Sequence, residues 1–122
     1  MATDKVLELN DLNFDSSVLA ASGPVLVDFT AAWCAPCRAL SPVLERFADR
    51  TDGVVVGSVD ADACPDLASR YGVRALPTLV VFAGGKEVAR RVGLTNDEGI
   101  RKLVAAAPPQ RDKPATTASS AT

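Results

Sequence analysis

Residues 25 to 30 read Val-Leu-Val-Asp-Phe-Thr, and no other stretch constrains the chain as tightly. The run is densely apolar and partly β-branched, which makes it a buried central strand. A buried sheet needs helices to cover it, and the flanking sequence alternates accordingly. Residues 5 to 9 (Lys-Val-Leu-Glu-Leu) read as a short strand. Asn10 and Asp11 are helix-entry residues, and Phe14 and Val18 then share one face of a short helix that ends near Gly23-Pro24. From Cys34 to about Asp49, Cys37, Leu40, Val43, Leu44 and Phe47 recur at helical spacing. Pro42 lies inside that helix and is expected to kink it, because it has no N–H for the preceding turn. Residues 54 to 59 form a third strand. Pro65 suits a first helical position and Gly72 the exit of the same short helix. Residues 78 to 83 give a fourth strand, and Gly84-Gly85 turns it into a fifth, from Lys86 to Val92. Thr95 and Glu98 form a capping-box pair for a last helix, whose apolar face carries Ile100, Leu103, Val104 and Ala107.

The order is βαβαβ followed by αββα. The first part needs parallel strands with crossover helices, and the final hairpin must be antiparallel. The expectation is an α/β fold: a mixed five-stranded sheet flanked by helices on both faces. At 122 residues the chain is one domain. That domain is expected over residues 1–107. Residues 108–122 are Pro, Ala, Ser and Thr with a few polar or charged residues and offer no apolar face, so they read as a flexible tail.

Composition removes several functions. The net charge of −2 gives no electrostatic grip on nucleic acid or anionic membrane. No apolar run approaches the length of a membrane span. Met1-Ala2-Thr3-Asp4-Lys5 lacks the layout of a secretory signal, so a cytoplasmic location is expected. There is no histidine, which excludes a Cys–His or Ser–His nucleophile pair within the chain. Three cysteines without histidine cannot complete an all-Cys/His tetrahedral zinc site, and no metal is assigned.

The chemistry is concentrated in Trp33-Cys34-Ala35-Pro36-Cys37. The motif follows a buried strand directly and opens a helix. Cys34 lies where unpaired helix N–H groups and the macrodipole favour negative charge, which raises its thiolate fraction near neutral pH. Cys37 is one turn later on the same side, so the two sulfurs can close a small disulfide. One thiol to attack and a second to resolve the mixed disulfide are the minimum for dithiol exchange. A bare C-x-x-C also serves in zinc sites and structural pairs, but its place beside a βαβ pattern marks redox chemistry. Pro36 sits early in the helix, where a missing N–H costs little, and stiffens the loop between the sulfurs. Asp28, inside the buried strand, is expected beneath Cys37 with its pKa raised by burial, ready to relay a proton to a nearby thiol. The alternative is an inward polar residue satisfied by water or a backbone group. In Leu76-Pro77-Thr78 the proline reads locally as a strand-start marker, since cis peptides occupy only about one in twenty X-Pro bonds.

Four segments together carry a resemblance: Val-Leu-Val-Asp-Phe at 25 to 29, Ala-Ala-Trp-Cys-Ala-Pro-Cys-Arg at 31 to 38, Tyr-Gly-Val-Arg-Ala-Leu-Pro-Thr at 71 to 78, and Phe-Ala-Gly-Gly-Lys at 82 to 86, with Val92-Gly93 beyond. The chain resembles the thioredoxin family, in its bacterial single-domain form, over residues 5 to 107. The resemblance implies the thioredoxin fold and reduction of protein disulfides with no bound cofactor, the Cys34–Cys37 disulfide being the redox-active group. It also implies an NADPH-dependent thioredoxin reductase as electron donor, disulfide-containing proteins as targets, and a monomer. It makes Pro77 a cis-proline facing the disulfide. The backbone of Leu76 would pair with the bound target chain. Trp33, Ala35, Pro36, Leu76, Pro77 and Gly93 then make up the substrate-binding surface around Cys34.

The chain also departs from the family. Ala35 stands where the family usually has glycine, which allows a small shift in reduction potential. Thr30 occupies a position where the family often has tryptophan. Ser58 replaces a lysine that many members place beside the buried acid, which removes one influence on Asp28. Cys64, at the start of the helix before Pro65, reads as a bystander in a reducing cytoplasm, with a regulatory or intermolecular disulfide as the alternative. Two other functions fit the same residues: an oxidase or isomerase with a more oxidising couple, and a non-catalytic interaction module that keeps its activity without Cys34 and Cys37.

Overall fold

A computed structural model describes residues 5–107. The expected tail therefore lies outside the described residues. Five strands form one mixed sheet in the order β1-β3-β2-β4-β5. They are β1 Val6–Leu9, β2 Val25–Thr30, β3 Val55–Asp60, β4 Thr78–Ala83 and β5 Lys86–Val92. The first three run parallel, whereas β4 runs antiparallel to both β2 and β5. The helices are α1 Ala35–Arg50, α2 Pro65–Arg70 and α3 Asp97–Val104.

The sheet separates two cores. On one face Val25, Val27, Phe29, Val80 and Phe82 pack against Phe14, Val18 and Leu67. On the other, Leu26, Val56, Leu79 and Val81 pack against Leu40, Leu44 and Phe47 of α1 and Ile100 of α3. β2 is central and buried along its length except at half-buried Thr30, as its composition requires. Gly84 and Gly85 turn the β4–β5 hairpin with φ of 61° and 80°, a left-handed pair that glycine adopts without steric cost.

Three local expectations change. The expected helix after β1 is a wider single turn, Asp15–Leu19, closed by an i to i+5 bond from the Ala20 N–H to the Asp15 carbonyl at 3.0 Å. Asn10 still holds its entry, its Oδ1 accepting from the N–H groups of Leu12 and Asn13. The third strand starts and ends one residue later than the apolar run suggests. At α3 the cap is Asn96, whose Oδ1 accepts from the Gly99 N–H at 2.9 Å, so Thr95 is not the capping residue. An asparagine next in line competes well for that position.

Candidate functional site

β2 ends at Thr30, and four residues later Cys34 caps the N-terminus of α1. Cys34 keeps an extended backbone (φ −88°, ψ 110°) while its Sγ accepts a hydrogen bond from the Cys37 N–H at 3.2 Å. Sulfur thus takes the role that a serine or aspartate oxygen usually plays at a helix start, and the donor favours its anionic form. The first turn of α1 contains no acidic side chain, so nothing there opposes a thiolate. Pro36 falls at the second position of the helix, where its N–H would be unpaired anyway. Cys34 and Cys37 are joined as a disulfide with Cα atoms 5.2 Å apart. Ala35 and Pro36 between them are exposed, whereas both cysteines are buried.

A second wall faces this motif. Ala31, Cys34 and Cys37 form a small buried cluster, and Leu76 packs against it. The Leu76–Pro77 peptide is cis, as the family resemblance implies and the local sequence alone does not. The Pro77 carbonyl accepts from the Gly93 N–H at 2.8 Å, which ties the cis-proline to the end of β5. Gly93 has φ 101°, a conformation that L side chains rarely adopt. Thr78 Oγ1 donates to the Ala75 carbonyl at 2.6 Å and closes the same loop from the other side. The structure therefore brings Leu76 onto the cysteine cluster and binds Pro77 to Gly93.

Trp33 is largely exposed, and its Nε1 donates to Asp62 Oδ2 at 2.7 Å. Nothing in the local sequence marks Asp62 as its partner, because the two residues are 29 apart in the chain. Arg38 Nη1 donates to the Ala32 carbonyl at 2.8 Å and braces the loop leading into the motif.

Asp28 is buried, and its Oδ1 has no hydrogen-bond partner among the described residues. By strand alternation its side chain shares the sheet face of Leu26, the face that α1 covers. Its register partner on β3 is Ser58, so a hydroxyl and not a cation stands beside it. Burial pushes the Asp28 pKa from 3.8 up to about 7. Cys64 is also buried, in the opposite core, at the entrance to α2. Burial pushes its thiol pKa up, and the negative charges of Asp11 and Asp60 add to that shift, which makes it a poor nucleophile. No group of three or more His, Cys, Asp or Glu among the described residues has the arrangement to hold a metal ion. No helix among them is long and apolar enough to cross a membrane.

Comparison with known proteins agrees with this geometry. The family model described as Thioredoxin matches residues 5–106. A thioredoxin of Chlamydia muridarum is 48% identical over 92 residues, covering 75% of this chain and 88% of the relative. A thioredoxin of Chlorobaculum thiosulfatiphilum is 39% identical over 101 residues, covering 82% and 94%. Thioredoxin C-2 of Corynebacterium nephridii is 45% identical over 89 residues, covering 72% and 82%.

Proposed function

The chain belongs to the thioredoxin family, and from that premise we propose how its residues divide the work of the reaction that membership supplies. That reaction is the reduction of protein disulfides by dithiol–disulfide exchange through Cys34 and Cys37. The electrons reside in the cysteine pair and not in a bound cofactor.

Cys34 is the attacking group. Its thiolate displaces one sulfur of the target disulfide, forming a mixed disulfide and releasing a target thiolate that takes up a proton. Cys37 then loses its proton and attacks Cys34 Sγ. The mixed bond breaks, the second target thiolate leaves and is protonated, and the Cys34–Cys37 disulfide forms. Two electrons have passed to the target, whose two thiolates take up one proton released by Cys37 and one from solvent. The observation that carries this assignment is the Cys37 N–H donating to Cys34 Sγ at the start of α1. It stabilises negative charge on Cys34 and leaves Cys37, one turn inside the helix, to resolve.

Asp28 receives the Cys37 proton. A carboxyl group with a pKa of about 7 is half ionised at neutral pH, which suits a group that must both accept and return a proton. Trp33, Ala35, Pro36, Leu76, Pro77 and Gly93 form the surface on which the target chain docks, with the Leu76 backbone pairing to it. Partners in general are disulfide-bearing targets and a reductase. The specific donor is an NADPH-dependent thioredoxin reductase, and the setting is the cytoplasm, where the protein acts as a monomer.

Mixing reduced Cys37→Ser protein with a disulfide-bonded protein such as insulin tests the division of labour. A stable mixed disulfide at Cys34, seen by mass spectrometry, is the expected result. Attachment at Cys64, or equal trapping by Cys34→Ser, contradicts it.

A further inference from the structure

The loop that presents Leu76 and Pro77 is held at one end by β5 and at the other by the residue that follows it. The Gly93–Pro77 bond holds its exit. Its entry is held by an arginine that lies outside the site described above. Arg90 Nη2 donates to the Tyr71 carbonyl, and Arg90 Nη1 donates to the Gly72 carbonyl at 3.4 Å. Tyr71 caps the C-terminus of α2, where carbonyl groups lack helical partners and a cation is favoured. Five residues later the chain reaches Leu76.

The guanidinium is also held within its own strand. Glu87 grips it in a two-pronged pair, with Nε to Oε2 at 2.8 Å and Nη2 to Oε1 at 2.9 Å. In a regular strand, residues three apart point to opposite faces. Here Val81 pairs with Ala89 while Phe82 pairs with Glu87, so one extra residue, Val88, is accommodated between them. This bulge turns Glu87 onto the face of Phe82, the face that Arg90 shares through its pairing with Val80. The bulge, the acid and the arginine thus form one device aimed at the end of α2. Both residues are exposed, although only about a third of each side chain meets solvent, and the two-pronged geometry gives the pair its direction.

We infer that Arg90, braced by Glu87, is a positioning residue for substrate docking: it fixes the entry of the 71–77 loop and so the height of Leu76 over the disulfide. The inference rests on the assignment of Leu76 and Pro77 as the target-binding wall. It concerns recognition and leaves the sulfur chemistry untouched, which gives it a distinctive signature.

The test uses insulin as the protein disulfide, dithiothreitol as the electron source and 5,5′-dithiobis(2-nitrobenzoate) as a small disulfide that needs no docked chain. In Arg90→Gln the KM for insulin is expected to rise about fivefold with kcat within about twofold, as loss of charge-assisted hydrogen bonds to a partly exposed loop implies. The rate with the small disulfide stays within about twofold, and Arg90→Lys restores part of the KM. An unchanged KM in folded Arg90→Gln overturns the inference, as does a KM rise matched by an equal loss with the small disulfide. Should Arg90→Gln lack a cooperative unfolding transition, Glu87→Gln decides: it removes the brace but keeps the arginine, and it must raise KM by a smaller factor. No change there overturns the inference too. Cys34→Ser is run in parallel. Insulin reduction that survives in it removes the underlying assignment of the site, whereas an inert Cys34→Ser with normal Arg90 kinetics removes only the clamp.

Discussion

Two walls meet at the disulfide, and they are built in opposite ways. The wall to which the proposal assigns the chemistry is local: β2, its short exit and the first turn of α1 place Asp28, Cys34 and Cys37 within ten consecutive residues. The wall that faces it is assembled from a distance. Leu76 and cis-Pro77 lie in a loop whose two ends are tied to Arg90 of β5 and to Gly93, the residue that follows it. Chemistry can be local because it needs only a strand, a helix start and one buried acid. The surface assigned to recognition needs more chain: β3 and α2 come before Leu76 and Pro77, and β4 and β5 come before the Gly93 that holds them. Damage to the first wall should therefore change rates and proton dependence, and damage to the second should change KM.

The largest effect that sharpens this contrast is expected at Asp28. Its folded pKa lies above its ordinary value, so the native state holds the proton more tightly than the unfolded chain. The sign follows: the penalty for ionising the buried group is absent below the ordinary value of 3.8 and grows as pH rises to about 7, reaching about 4 kcal/mol. Asp28→Asn removes that penalty. Denaturation at pH 8 should show a gain of about 2–4 kcal/mol, shrinking to less than about 1 kcal/mol at pH 4. The same substitution should slow resolution by Cys37 about tenfold to a hundredfold at pH 7, while the KM for a protein disulfide stays unchanged. A stability gain that does not vary with pH would contradict the buried-acid account. A shift in KM alone would break the separation of the two walls.

A much smaller effect is expected at the side-chain bond that runs from Trp33 to a remote segment. Trp33 is the only tryptophan, so its fluorescence reports the site without interference. Asp62→Asn weakens the acceptor of the Trp33 Nε1–H bond. A shifted emission maximum is expected, with a stability loss below about 1 kcal/mol, as befits an exposed hydrogen bond. Unchanged emission would show that Asp62 does not hold the ring in solution.

The same contrast governs what could be read from residues alone. The strand at 25–30, the helix start at Cys34 and the raised pKa of Asp28 follow from short-range pattern and burial, and the structure has all three. The cis peptide at Pro77 does not follow from its neighbours, because an X-Pro bond is usually trans and tertiary contacts select the exception. It became legible only through the family resemblance. Asp62 left no signal, since its partner is 29 residues away. Glu87 and Arg90 left a misleading one: alternation assigns them opposite faces, and only the bulge at Val88 joins them. Thr95 failed as a helix cap for a simpler reason, because Asn96 sits one residue closer to the first free N–H groups.

The central claim is that Cys34 and Cys37 form the redox couple of a reductase. Equilibrating the protein with defined dithiol buffers and trapping free thiols gives the reduction potential of that couple directly. The account predicts a strongly reducing value near the roughly −270 mV typical of thioredoxins. A value above roughly −200 mV would contradict it and assign the same fold to oxidation or isomerisation of disulfides.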